Sequence, residues 1–153
     1  MLPIKIQEIT FNDILPTWRH QLWPNRSSLI EPVSAIDIES NIDVQILNYL
    51  STAHFFGAFD GSTLAGVISG HLTAPHQCRL RGLFVNEVYR GHGISKLLIE
   101  TELNKAKLLA CTQIWALIRT KNLGLFQKFD FQKKLETDKY EFGPHFIIEK
   151  SLD

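Results

Sequence analysis

Six consecutive residues, Arg90-Gly91-His92-Gly93-Ile94-Ser95, have the composition of an anion cradle. They stand between an apolar run and a segment of helical spacing. A loop that opens a helix presents unpaired backbone N–H groups at the positive end of the helix dipole, which suits a phosphate or pyrophosphate. Gly91 and Gly93 permit close backbone approach and positive φ, and Arg90 adds charge-assisted hydrogen bonds to phosphate oxygens. A tight turn that needs two glycines is the alternative reading. Two familiar phosphate motifs fail on spacing. A Walker loop needs Gly-Lys followed by Ser or Thr, whereas Ser95 precedes Lys96 here. A dinucleotide fingerprint begun at Gly91 needs glycine where Lys96 stands.

Arg81 and Arg119 interrupt otherwise apolar runs, and a charge so placed must be paired. Either they clamp a carboxylate or other anionic group of a substrate, which a guanidinium matches in two-pronged geometry, or they form internal ion pairs with glutamate. His71, His76 and Cys78 flank a single turn, but their spacing fits no zinc pattern, so no metal site is expected. Trp18, Trp23 and Trp115 read as core residues, with Trp23 beside Pro24 also able to line a groove.

The elements that would position these groups follow from periodicity. Alternation over 2–10 predicts a strand, Asn12 or Asp13 offers a helix cap, and Ile14, Leu15, Trp18 and Leu22 have helical spacing up to Trp23-Pro24. Residues 26–41 lose periodicity and read as irregular, leading to a short helix over 44–50. Two apolar runs, 53–59 and 63–72, flank Asp60-Gly61 and predict a hairpin. A third strand is expected over 79–85, and a helix over 95–110 with Leu97, Leu98, Thr101 and Leu108 on its buried face. A strand over 113–118, a short helix over 123–128 and strands over 131–136 and 144–150 complete the chain. The sum is an α/β (α+β) fold, a mixed and mainly antiparallel sheet flanked by helices.

The chain has 153 residues, 44% of them hydrophobic and 21% charged, with 16 basic and 16 acidic side chains. That size and composition suit a single domain over 1–153 that needs neither disulfide nor metal to fold. Zero formal net charge removes the footprint of a nucleic-acid binder. Cys78 and Cys111 lack a paired spacing, and neither a secretory signal nor a membrane-length apolar run is visible, so the expected setting is the cytoplasm with free thiols and no membrane partner.

Over nearly its whole length the sequence resembles the GNAT superfamily of acetyl-CoA-dependent N-acetyltransferases. The likeness is centred on 81–131. The family signature Q/R-x-x-G-x-G/A finds Arg90, Gly93 and Ser95 at its fixed positions, with serine where glycine or alanine is usual. Asn122 through Phe131 resembles the family's asparagine, helix and "Y-x-x-x-G-F" segment, but Phe126 stands at the tyrosine and Asp130 at the glycine. Leu80-Arg81-Gly82-Leu83-Phe84-Val85, Arg119 and Gly143-Pro144-His145 resemble a bacterial subgroup.

The resemblance implies acetyl-CoA as co-substrate and direct transfer to a primary amine of a small molecule or peptide within a ternary complex. Arg90, Gly91, His92, Gly93, Ile94 and Ser95 would hold the pyrophosphate. Leu83, Phe84 and Val85 would meet the pantetheine arm through main-chain groups, with Asn122 and Phe126 beside it. A homodimer is also implied. Phe126 cannot protonate a leaving thiolate and reads as a core aromatic on a helix face, which leaves open a CoA-binding module that performs no transfer. An ammonium group must lose its proton before attack, and histidine titrates in the right range. His145 and then His54 are the candidate bases, each with a structural hydrogen-bonding role as the alternative.

Overall fold

Ile4–Ile9 forms strand β1, and Thr10 then caps helix α1, Phe11–Thr17. The cap is reciprocal: the Thr10 hydroxyl accepts from the Asp13 N–H and the Asp13 carboxylate accepts from the Thr10 N–H at 2.9 Å. Thr10 therefore fills the role expected of Asn12 or Asp13. A π-helical turn, Trp18–Leu22, continues the helix to Trp23. The computed structural model describes residues 1, 3–37, 42–44 and 47–153. The expected strand start at Leu2, residues 38–41 of the expected irregular segment and residues 45–46 of the expected helix lie outside the described residues.

Within the segment expected to be irregular, β2, Ala35–Asp37, pairs antiparallel with β3, Ile42–Val44. Ile42-Asp43-Val44 alternates apolar and polar, the strand signal there, whereas Ala35-Ile36-Asp37 does not. Val44 ends β3 instead of opening a helix, and a 3-10 helix spans Leu47–Thr52.

The main sheet adds β4 (His54–Asp60), β5 (Thr63–Ala74), β6 (Gln77–Val85), β7 (Gln113–Arg119), β8 (Gln132–Thr137) and β9 (His145–Ser151). Its seven strands run in the order β1-β4-β5-β6-β7-β9-β8. Every neighbouring pair is antiparallel except β6 with β7. The β4–β5 hairpin closes with Asp60 opposite Thr63, so its two loop residues are Gly61 and Ser62. Helix α2, Ile94–Leu108, covers one face of the sheet, and α3, Leu123–Gln127, follows β7.

The α2 face buries Ile94, Leu98, Ile99, Leu103 and Ala106 against Ala65, Ile68, Leu80, Ile114 and Ala116. On the other face Ile14 and Trp18 pack on Phe55 and Val67. The expected buried face of α2 is corrected: Leu98 belongs to it, but Leu97 is 38% and Leu108 83% exposed. The true stripe runs through Glu102, whose charge hides the helical period. Removing Leu98 to alanine would leave a cavity costing about 2–5 kcal/mol.

Candidate active site

The sheet splits beside its one parallel junction. β6 and β7 pair only at Gln77, Cys78 and Arg79 with Gln113, Ile114 and Trp115. Beyond those rungs the residues of both strands line a cleft of about 530 Å³. Leu80 and Gly82 to Val85 form one wall, Ala116 to Arg119 the other, and Arg90, Ser95, Asn122 and Phe126 stand around them.

A bulge shapes the β6 wall. Between the rungs Val67–Phe84 and Ser69–Arg81, β6 carries one residue more than β5. Gly82 sits there with φ +70°, and its carbonyl accepts the Trp18 indole N–H at 2.9 Å. A bulge turns the following main-chain groups away from the regular ladder.

The cradle residues open α2. Gly91 and Gly93 have φ of +83° and +76°, and a side-chain carbon at either would meet nothing within 4 Å. The glycines are therefore required by backbone conformation, with open space above them. Gly93 caps α2 without a side-chain hydrogen bond, which leaves the first-turn N–H groups available to an anion. Arg90 is anchored by its Nε–H donating to the Val85 carbonyl at 3.1 Å, and its guanidinium lies over Phe84. Ser95 lines the cleft, Ile94 is in the core, and His92 is exposed.

A second cavity of about 330 Å³ meets the first. Trp23, Gly82, Leu117 and His145 line both. Arg26, Arg79, Arg81 and Lys139 also line the second, while its carboxylate, Glu141, accepts hydrogen bonds from the Ser27 N–H and hydroxyl. His145 opens β9 directly opposite Arg119 on β7. Its Nδ1 is buried and has no hydrogen-bond partner among the described residues. Burial, helped by the Arg119 and Arg79 charges, pushes its pKa below the ordinary histidine value. A neutral imidazole at the junction of two cavities can accept a proton.

His54 is elsewhere. It is buried beneath α2 against Glu102 and lines neither cavity. Arg81 donates to the Glu31 carbonyl and lies over Trp18 and Trp23, and Arg119 donates to the Leu22 carbonyl and lies over Phe142. Arg79 likewise donates to the Ser34 carbonyl. These guanidinium groups tie the segment from Leu22 to Ser34 to the sheet. Phe126 is 2% exposed and meets Phe131 edge to face at 5.4 Å. Asp130 adopts φ +66°, a left-handed conformation that favours glycine and that aspartate tolerates.

Sequence reasoning missed Arg79, Lys139 and Tyr140 at the second cavity. Arg79 shares with Arg81 the signal of a cation inside an apolar strand. Lys139 and Tyr140 lie in an unremarkable polar loop.

The sequence model of the GNAT acetyltransferase family matches residues 15–131, and the chain belongs to that family. Its structure is similar to that of Ard1 from Thermoplasma volcanium, with 15% identity, 98% of each chain covered and a TM-score of 0.71. It is also similar to the ribosomal-protein-S18-alanine N-acetyltransferase of Escherichia coli, at 15% identity over 98% of this chain and 94% of that one, with a TM-score of 0.69. The PaiA N-acetyltransferase of Thermoplasma acidophilum, in complex with coenzyme A, is 26% identical over 65% of this chain and 61% of its own, with a TM-score of 0.54. No curated protein matches the sequence. Among the described residues no helix is long and apolar enough to cross a membrane.

Proposed function

We propose that this GNAT protein transfers the acetyl group of acetyl-CoA to a primary amine of a small molecule or peptide by direct attack in a ternary complex. The observation that carries the reading is the splayed β6–β7 junction, whose cleft ends at the uncapped, glycine-opened start of α2. In this reading the first-turn N–H groups of α2 and the Arg90 guanidinium hold the pyrophosphate. Main-chain groups of Leu83 to Val85 receive the pantetheine arm and thioester, and Asn122 contacts the same arm.

The amine enters from the second cavity and meets the thioester near Gly82, Leu117 and His145, which both cavities share. His145 takes the ammonium proton, for which its lowered pKa keeps it neutral. The neutral amine attacks the thioester carbonyl, backbone donors of β6 stabilise the oxyanion, and CoA leaves as a thiolate. Correct positioning of the two reactants can supply roughly 7–11 kcal/mol of the acceleration. Arg81 and Arg119 flank the acceptor side and favour an amine that also carries a carboxylate or similar anion.

Buried Phe126 supplies no proton to the thiolate, and this favours a second reading, a CoA-binding module that performs no transfer. Thiols are better leaving groups than amines, so catalysis remains the preferred account. A thiol-release assay with acetyl-CoA and a panel of amines separates the two. Turnover with at least one acceptor supports the transferase, and tight CoA binding without turnover for any acceptor supports the module.

A further inference from the structure

The core beneath α2 holds a polar cluster that no step above uses. His54 on β4, Cys78 on β6 and Glu102 in mid-α2 are buried, and one donor atom of each lies within 4.8 Å of the others. His54 Nε2 faces the two Glu102 oxygens at 2.7 and 2.9 Å, and Cys78 Sγ lies 3.6 Å from Oε1. The second cysteine, Cys111, is buried in the same core. Residues far apart in sequence thus converge from three elements of the fold. His71 and His76 do not join them: His71 Nδ1 meets the Leu72 carbonyl, its Nε2 accepts the Ser34 N–H, and His76 Nδ1 meets the Ala110 carbonyl.

The surroundings prepare the cluster. His54 Nδ1–H donates to the Thr52 carbonyl at 2.8 Å, which fixes the ring and aims Nε2 inward, as an outer carbonyl does for a metal-bound histidine. On β5, Gly70 leaves room: a side-chain carbon there would overlap the Glu102 carboxylate and come within 2.6 Å of His54 Nε2. Burying a carboxyl, an imidazole and a thiol in a dry core is costly, and apolar residues would fill the same volume without that cost. A divalent cation reverses the balance. Nitrogen, thiolate and carboxylate are the donors Zn²⁺ accepts, and tetrahedral coordination with bonds of about 2.0–2.3 Å sets donors roughly 3.5 Å apart. The donors here need only side-chain adjustment to reach that spacing.

We propose that His54, Cys78 and Glu102 form a structural Zn²⁺ site that ties β4, β6 and α2 together. Metal entry displaces the Cys78 thiol proton and the proton shared between His54 and Glu102. The site is buried beneath α2 and its residues do not line the cleft, so it serves stability and not transfer.

The full chain, purified after expression in zinc-supplemented medium, is tested by elemental analysis. It is then unfolded with chelator and refolded with Co²⁺, and the near-ultraviolet thiolate-to-Co²⁺ charge-transfer band is read. The proposal expects one metal per chain, the band in the wild type, a lower Tm after chelation and loss of metal in Glu102→Gln and Cys78→Ser. A folded wild-type chain with neither metal nor band overturns it. So does metal retained undiminished in both variants, which would assign binding to surface histidines such as His20. Should a variant fail to fold, the wild-type stoichiometry and band still decide.

Discussion

Trp18 donates its indole N–H to the Gly82 carbonyl at 2.9 Å, and a methyl group on Gly82 would overlap the same ring. The pair couples the helical N-terminal segment to the bulge in β6 and so sets the wall of the cleft. Gly82→Ala must relieve that overlap and also populate φ +70°, which costs an alanine about 1–2 kcal/mol before any clash is counted. We expect a destabilisation of roughly 2–4 kcal/mol in urea denaturation. The milder Trp18→Phe loses the hydrogen bond and about 1 kcal/mol.

At the start of α2 the effect should separate from stability. Gly93 has φ +76° and open space around it, so valine there meets no neighbour but forces the loop out of its conformation. Gly93→Val should leave the circular dichroism spectrum intact and raise the CoA Kd by about tenfold or more, which corresponds to about 1.4 kcal/mol.

In the proposed mechanism His145 carries the pH dependence. A base works only while neutral, and the lowered pKa keeps His145 neutral below the ordinary value of 6.5, so activity should fall only as pH drops through that depressed value. His145→Ala should lower kcat by about a hundredfold or more while leaving the KM for acetyl-CoA nearly unchanged. A pH–rate profile of the variant should lack the acid limb. An unaltered profile returns His145 to a structural role.

The order of the elements was legible because its signals are local: the apolar runs of β4 and β5 across their turn, the glycine loop after β6 and the helical run that follows. The loop could be located from Arg90, Gly93 and Ser95 alone. Other features depend on partners far along the chain. The face of α2 was misread because Glu102 is buried only through its pairing with His54, 48 residues away in sequence. The same pairing places His54 in the core and not in the cleft. β2 and β3 were missed because three-residue strands offer too few alternations to stand out from a polar segment.

Acid should destabilise the fold partly through His71. Burial lowers its pKa from 6.5 to about 3, and it is held neutral between the Leu72 carbonyl and the Ser34 N–H. Below 6.5 the unfolded chain binds a proton that the folded chain refuses, so stability declines as pH falls toward 3, by up to about 1.4 kcal/mol per pH unit. His71→Asn should be less stable at neutral pH but show a shallower decline. Urea titrations at pH 7 and pH 5 measure the difference.

Asp130 offers the opposite change. Its φ of +66° is free of strain for glycine, so Asp130→Gly should stabilise by roughly 0.5–1 kcal/mol, whereas Asp130→Val should destabilise by at least as much. Thermal denaturation of both variants checks the sign.

Equilibrium dialysis of labelled acetyl-CoA against the folded chain tests the central claim most directly. The account predicts saturable binding of one molecule per chain, weakened by Gly93→Val and by excess inorganic pyrophosphate. Absence of saturable binding to folded wild-type protein would contradict it.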